Sequence, residues 1–141
     1  MFNKILVPVD VSTQKTTEML CIAANDLAEK YTADVCLITV LPDYGMPLVA
    51  SYFPEGAQDK MKAEMAQKLK ALAETHFKRA VDIKLVQGKR RTALLKEIEN
   101  TRPDLVMMGC RRKRSRRDQR LLGATGTVIS DRAPCSVMIV R

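Results

Sequence analysis

Two glycine-containing segments in the second half of the chain have residue types that suit the binding of an anion. Gly109 ends an apolar run, and Gly123-Ala124-Thr125-Gly126 opens a helical pattern. Glycine lets the backbone approach a ligand closely, and the first turn of a helix presents N–H groups without a partner inside the helix. The second segment therefore either holds a phosphate through main-chain N–H groups and the Thr125 hydroxyl, or is a loop glycine followed by Thr125 as an ordinary N-cap. Spacing alone leaves both interpretations open.

A carboxylate, Asp10, follows the first apolar run of the chain, Lys4-Ile5-Leu6-Val7-Pro8-Val9. An aspartate in this position commonly accepts hydrogen bonds from the turn that follows it. A carboxylate also accepts hydrogen bonds from the hydroxyl groups of a ligand such as a ribose. The sequence is compatible with a structural role and with a binding role.

Positive charge is concentrated in one segment, residues 111–120, which we call the basic segment. The chain has a net charge of +8, and the basic segment holds seven basic residues and one acidic residue. Such a density of like charge attracts polyanions. Arg111 and Arg112 follow Gly109 and are candidates for bidentate phosphate binding. Nucleic-acid binding by the whole segment is the other option, although it contains no aromatic residue for base stacking. A second, smaller cluster is Lys89-Arg90-Arg91.

The cysteines and the histidine do not form a recognisable catalytic or metal-binding pattern. The 4 cysteines contain no CxxC pair, and His76 is the single histidine. We therefore expect free thiols, no zinc site and no catalytic residue, unless His76 alone served a Ser-His-Asp or Cys-His mechanism.

The length and composition bound the class of protein. The chain has 141 residues, of which 46% are hydrophobic, and this predicts a single domain over residues 1–141. No run of apolar residues is long enough to span a membrane, and the first apolar run reaches Asp10 too soon to be a signal peptide. We expect a cytoplasmic protein.

The hydrophobic pattern predicts alternating strands and helices. Short apolar runs predict strands at residues 4–10, 35–40, 81–86, 104–109 and 136–140, and the third alternates, as an edge strand does. Helical spacing predicts helices at residues 16–31, 58–78, 92–100 and 124–132. This order predicts an α/β fold, a doubly wound parallel sheet with helices on both faces.

Two of the predicted helices have apolar residues that we assign to the core. In the first helix these are Met19, Leu20, Ile22, Ala23, Leu27 and Tyr31. In the second they are Met61, Met65, Leu69 and Leu72. Ligands of doubly wound folds lie outside the carboxyl ends of the strands, where the strand order reverses. The ends of the first strand (Pro8, Val9, Asp10) and the fourth strand (Met108, Gly109) should meet there.

Several segments together resemble the universal stress protein family over nearly the whole chain. They are Lys4-Ile5-Leu6-Val7-Pro8-Val9-Asp10, Asp104-Leu105-Val106-Met107-Met108-Gly109, Leu121-Leu122-Gly123 and Ala133-Pro134-Cys135-Ser136-Val137-Met138-Ile139-Val140-Arg141. The resemblance implies a five-stranded parallel sheet of order 3-2-1-4-5 that binds an adenine nucleotide. It also implies a homodimer in which the last strands pair antiparallel, through Val137, Met138, Ile139 and Val140.

The resemblance also implies where the nucleotide binds. Val9, Asp10 and main-chain groups of Val40 would contact adenine, and Asp10 and Gly109 would contact the ribose. Gly123, Ala124 and Thr125 would contact the phosphates. ATP or a related adenine nucleotide is the expected ligand, with Mg²⁺ as an optional companion of the nucleotide. The highest enzymatic activity that we expect is slow ATP hydrolysis.

The chain departs from the glycine motif of the ATP-binding members, G-x2-G-x9-G-[S/T]. Counted from Gly109, the second glycine position is Arg112, the third glycine comes one residue late at Gly123, and Ala124 stands where a serine or threonine is expected. Two outcomes fit these departures. Arginine side chains replace the lost backbone contacts, or nucleotide binding is lost or altered.

Two functional hypotheses follow from the sequence. The first is a dimeric stress-response regulator in which nucleotide binding changes the surface that the basic segment offers to a partner. The second is an interaction module that binds no nucleotide and docks an acidic protein, nucleic acid or an anionic lipid through the basic segment. Neither hypothesis includes a membrane-spanning segment.

Overall fold

A computed structural model describes residues 1–43, 56–110 and 122–141 of the chain. It contains five strands: β1 (Lys4–Pro8), β2 (Asp34–Leu41), β3 (Val81–Gln87), β4 (Leu105–Gly109) and β5 (Ser136–Val140). The helices are α1 (Gln14–Tyr31), α2 (Ala57–His76), α3 (Arg90–Thr101) and α4 (Ala124–Arg132). All nine predicted elements are present. The largest differences at their bounds are two residues, at the starts of α1 and α3 and at the ends of β1 and α2.

The five strands form one parallel sheet in the order β3-β2-β1-β4-β5, as predicted. The order reverses between β1 and β4, which lie side by side although nearly a hundred residues separate them in the chain. Their carboxyl ends open on the same edge of the sheet. This edge is the place at which the sequence predicts a site.

Two hydrophobic clusters cover the two faces of the sheet and account for the doubly wound arrangement. On one face, Leu20, Cys21 and Ala24 of α1 and Leu69 of α2 pack against β1, β2 and β4. On the other face the packing residues are Leu94 and Ile98 of α3 and Ile129 of α4. The strands are apolar on both sides because both faces of the sheet are covered.

The predicted core face of α1 is wrong in part. The buried positions are Thr17, Leu20, Cys21, Ala24, Asn25 and Ala28. Met19 and Ile22 are 40% and 52% exposed. The buried residues follow the helical spacing i, i+3, i+4, i+7. Leu20 is buried as predicted, and Ala23, Leu27 and Tyr31 are partly buried against the core. The prediction omits the small residues Cys21, Ala24 and Ala28, which lie against the sheet.

The predicted core face of α2 is confirmed for one residue. Leu69 is fully buried, and the other three, Met61, Met65 and Leu72, are half-buried. Within the described residues, no helix is both long enough and apolar enough to cross a membrane.

Asp104 ties the start of β1 to the start of β4. Its carboxylate oxygen Oδ2 accepts hydrogen bonds from the main-chain N–H groups of Asn3 and Lys4, both at 2.8 Å. These two hydrogen bonds lower the pKa of Asp104 below its ordinary value. The lowered pKa means that the folded state favours the ionised carboxylate, so its stabilising effect is lost as the pH falls through that pKa.

We therefore expect Asp104→Asn to lower the stability of the protein at pH 7. The difference from wild type should shrink as the pH falls from above the ordinary aspartate pKa of 3.8 towards the lower folded-state pKa of Asp104. Urea unfolding of both proteins between pH 3 and pH 7 measures this, and a difference that is constant with pH would contradict it.

An ion pair joins the edge strand β3 to α3. Lys84 Nζ lies 2.5 Å from Glu97 Oε2, and the side chains are 42% and 11% exposed. A nearly buried carboxylate without a cationic partner is costly. Because Arg90 begins α3, this contact also helps to fix the helix that delivers Arg90 to the sheet edge.

We expect Lys84→Met to reduce the free energy of unfolding by about 1–3 kcal/mol, because it leaves the Glu97 carboxylate unpaired. The double variant Lys84→Met/Glu97→Leu should recover part of this loss, since it removes the buried charge as well. Urea denaturation of wild type, Lys84→Met, Glu97→Leu and the double variant measures the coupling free energy between the two residues. If the two single substitutions changed the free energy of unfolding additively, the ion pair would make no contribution to stability.

Candidate functional site

A cavity of about 400 Å³ lies at the carboxyl edge of the sheet, where β1 and β4 end. Its volume is within the range of small-molecule sites, about 300–1,000 Å³. It brings together every described residue that the sequence assigned to nucleotide binding: Pro8, Val9, Asp10, Val40, Met108, Gly109, Gly123, Ala124 and Thr125. Arg111 and Arg112 lie outside the described residues.

The Asp10 carboxylate stabilises the turn that follows β1. Its oxygen Oδ1 accepts hydrogen bonds from the N–H of Ser12 at 3.0 Å and from the Ser12 hydroxyl at 2.5 Å. The structural interpretation of Asp10 is therefore confirmed. The same side chain lines the cavity, so the contact with Ser12 fixes the carboxylate in its wall.

Threonine hydroxyls hold the backbone around Asp10. The carbonyl oxygen of Asp10 accepts hydrogen bonds from the hydroxyls of Thr13 and Thr17, at 3.1 and 2.8 Å. The hydroxyl of Thr39 on β2 donates to the carbonyl oxygen of Val9 at 2.9 Å. These contacts fix the end of β1 from α1 on one side and from β2 on the other. The turn that carries Asp10 is therefore held in place without a ligand.

Arg90 is a residue of this cavity that the sequence analysis did not select. Its Nη2 lies 3.6 Å from Asp10 Oδ2, and its side chain is 52% exposed. The two residues are eighty positions apart, and the strand order brings the start of α3 to the same edge of the sheet. The signal that was present is the basic cluster Lys89-Arg90-Arg91 directly after β3.

Gly109 ends β4 where α1 crosses closely over the sheet. A Cβ atom added at Gly109 would lie 2.7 Å from Thr16 Cγ2, closer than such atoms approach in proteins. Packing against α1 is therefore sufficient reason for a glycine here. Thr16 also lines the cavity, so the close approach sets the width of the cavity at this point.

We expect Gly109→Ala to destabilise the fold by about 1–3 kcal/mol, because the added methyl group overlaps with Thr16. The double variant Gly109→Ala/Thr16→Ser should regain part of the loss, since serine lacks Cγ2. Thermal or urea unfolding measures both. A single variant as stable as wild type would show that α1 shifts without cost.

The start of α4 also lines the cavity and presents main-chain N–H groups there. Gly123 is the N-cap residue, and no side chain caps the helix among the described residues. The interpretation of Thr125 as the N-cap is wrong, because Thr125 lies inside the first turn. The first turn has no acidic residue, and its N–H groups have no partner within the helix. This end of the cavity is suited to bind an anion.

Gly123 has no packing reason of the kind found at Gly109. Apart from its two chain neighbours, no described residue has an atom within 4 Å of a Cβ atom added there. Its backbone angles, φ −62° and ψ 166°, are accessible to any residue type. As far as the described residues are concerned, a ligand has room at this position.

Apolar side chains line the remainder of the cavity. They are Leu20, Ile38, Val40, Leu94, Met108, Leu122 and Ile139. The cavity thus combines apolar walls, a carboxylate paired with an arginine, and a helix start that offers amide hydrogens. These three features suit a flat, partly apolar ligand that carries hydroxyl groups and an anionic group.

The chain belongs to the universal stress protein family, whose family model matches residues 1–141. The resemblance found in the sequence is confirmed.

Solved structures of universal stress proteins share the fold. UspA from Lactobacillus plantarum matches with a TM-score of 0.73 and 21% identity, over 99% of this chain and 97% of that chain. A universal stress protein in complex with cAMP matches with a TM-score of 0.69 and 19% identity, over 99% and 97%. One from Archaeoglobus fulgidus in complex with dAMP matches with 0.64 and 12%, over 99% and 98%. At these identities the likeness shows the fold alone.

Proposed function

We propose that this universal stress protein is a dimeric stress-response regulator that binds ATP or a related adenine nucleotide at the carboxyl ends of β1 and β4. The observation that carries the proposal is that one cavity brings Asp10, Gly109 and the start of α4 together. Structural neighbours in complex with cAMP and dAMP support an adenine nucleotide as the ligand class.

The nucleotide would use the three kinds of surface in the cavity separately. The base would lie against the apolar side chains near Leu94, beside the main chain of Val40. The ribose would contact Asp10, and the phosphates would accept hydrogen bonds from the N–H groups of Ala124 and Thr125. Ala124 does not prevent this role, because the first-turn amides are present whatever the side chain.

A regulatory role rests on the described residues that flank the basic segment in the chain. Cys110 precedes residues 111–121 and Leu122 follows them, and both Cys110 and Leu122 line the cavity. A ligand bound between them would change the surface that the basic segment offers to a partner. The Asp10 carboxylate already contacts Ser12 and Arg90, and we assign it to positioning the ligand and not to hydrolysis.

The dimer would form along β5, the last strand of the sheet. Among the described residues, no strand lies beyond β5. Met138 in this strand is 37% exposed. An apolar edge strand is an aggregation hazard unless it is covered or paired, and pairing with a second copy removes the hazard.

Nucleotide binding is tested in two steps. Purified protein is denatured, and any released nucleotide is identified by chromatography and its ultraviolet absorbance. Protein freed of nucleotide is then titrated calorimetrically with ATP, ADP and AMP, with and without Mg²⁺. Binding in the micromolar to millimolar range supports the proposal, and no binding of any of them would leave only the family and the fold.

The concentrated charge of the basic segment favours a second candidate, an interaction module that docks an acidic protein, nucleic acid or an anionic lipid. This function predicts binding to a polyanion that weakens steeply as salt is added. Replacing the arginines of residues 111–120 by serine should abolish that binding while Gly123 is left intact. Unchanged affinity in this variant would exclude the second candidate.

A further inference from the structure

Arg90 has hydrogen-bonding capacity that its contact with Asp10 does not use. The guanidinium group carries five N–H donors. Among the described residues its ion pair is with Asp10 alone, through one nitrogen, Nη2, at the long distance of 3.6 Å. The side chain lines the cavity and is 52% exposed. The remaining donors are therefore accessible to a ligand in the cavity.

The charge around Arg90 favours an anion. Lys89 and Arg91 flank it, and the first turn of α3 contains no acidic residue. Glu97, further along α3, is paired with Lys84. The negative charge of Asp10 is offset by Arg90 itself and by the hydrogen bonds from Ser12. A second anionic group next to Arg90 would thus lie in a locally positive region.

An arginine beside a carboxylate that contacts ribose has a known chemical consequence. In dinucleotide-binding folds either a carboxylate binds the free 2′-hydroxyl or a nearby arginine accommodates a phosphate on that oxygen. Because a carboxylate repels a phosphate, the two side chains can act together only if they contact different ribose oxygens, one with a free hydroxyl and one with a phosphate. Here the carboxylate and the arginine occur together, as Asp10 and Arg90. The start of α4, which is suited to the 5′-phosphate, lines another part of the same cavity.

We propose that Arg90 is a specificity-determining residue that binds a phosphate on the 2′ or 3′ oxygen of the ribose. The ligand class is then an adenosine nucleotide that is phosphorylated both at the 5′ position and on the 2′,3′ edge. The inference rests on the proposed function, because it requires the ribose to lie at Asp10. Arg90 would bind the additional phosphate through the donors that the Asp10 contact leaves available.

The test compares three ligands in calorimetric titrations of the nucleotide-free protein: 5′-AMP, adenosine 2′,5′-bisphosphate and adenosine 3′,5′-bisphosphate. One of the two bisphosphates should bind about tenfold more tightly than 5′-AMP, or more, because a charge-assisted hydrogen bond is gained. The comparison of the two bisphosphates identifies which oxygen Arg90 contacts.

Matched variants assign the preference to Arg90. Arg90→Gln should reduce the preference to near unity, and Arg90→Lys should retain part of it. Arg91→Gln makes the same change of charge at an exposed neighbour that does not line the cavity, and it should keep the preference. Thermal unfolding verifies that each variant is folded. If Arg90→Gln does not fold, the ligand preferences of the wild type and of Arg90→Lys still test the inference.

The outcomes separate this inference from the proposed function. Wild-type protein that binds 5′-AMP and both bisphosphates equally would overturn the inference and leave the nucleotide site standing. A preference that persists in Arg90→Gln would overturn it as well, because another residue would then bind the second phosphate. Protein that binds none of the three ligands would overturn the nucleotide site and the inference together.

Discussion

Gly123→Val is expected to weaken nucleotide binding by about 10- to 100-fold, because its side chain would occupy the space where the phosphates approach the start of α4. That range corresponds to the loss of one charge-assisted hydrogen bond. Apart from its chain neighbours, no described residue has an atom within 4 Å of a Cβ added at this position. Among the described residues, no core side chain would therefore clash with the new valine.

The effect on stability should be small by comparison. The backbone angles of Gly123 suit valine, although branched residues are poorer N-caps than glycine, at a cost of about 1 kcal/mol. Gly109→Ala provides the contrasting control, since its overlap with Thr16 is expected to destabilise the fold. Calorimetric titration and urea unfolding of both variants separate the effects. Wild-type affinity in Gly123→Val would mean that the phosphates do not lie at α4.

The fold was predictable from the sequence because its strands are buried on both faces. Continuous apolar runs such as Asp104-Leu105-Val106-Met107-Met108-Gly109 mark such strands, and prolines or glycines separate them from helices. The exact bounds of α4 and β5 follow from Gly123 and Pro134 in this way. The face of α1 was not predictable from side-chain size, because its buried face combines the large Leu20 with the small Cys21, Ala24 and Ala28, while Met19 and Ile22 are exposed.

The site was predictable where it depends on strand ends and not where it depends on distant elements. Asp10 and Gly109 end strands that the α/β pattern places side by side, so their meeting follows from topology. Arg90 reaches the cavity from the start of α3, and nothing in its local sequence distinguishes it from Lys89 or Arg91. The position of Thr125 inside the first turn of α4 was likewise undecided, since Gly123 and Thr125 are both acceptable N-caps.

The hydrogen-bonding pattern of β5 specifies how a second copy would pair with it. The N–H of Ser136 donates to the carbonyl of Asp104, and the carbonyl of Val140 accepts from the N–H of Cys110. In an extended strand the N–H and C=O of one residue point to the same side, and those of the next residue point to the other. The main-chain N–H and C=O groups of Ser136, Met138 and Val140 therefore face β4. Those of Val137 and Ile139 face outward.

Val137→Pro is consequently expected to weaken the proposed dimer by roughly 10- to 100-fold, because it removes one outward N–H group from each copy. Proline is tolerated on an edge strand where its missing N–H would face away from the sheet, so β5 should still pair with β4. Val137→Ala is the matched control, since it shortens the same side chain and keeps the N–H group. Sedimentation equilibrium over a range of protein concentrations measures the dissociation constants of the dimers. Equal dissociation constants for the two variants would show that the copies do not associate through the main chain of β5. Wild-type protein that stays monomeric at the highest concentration would exclude the dimer itself.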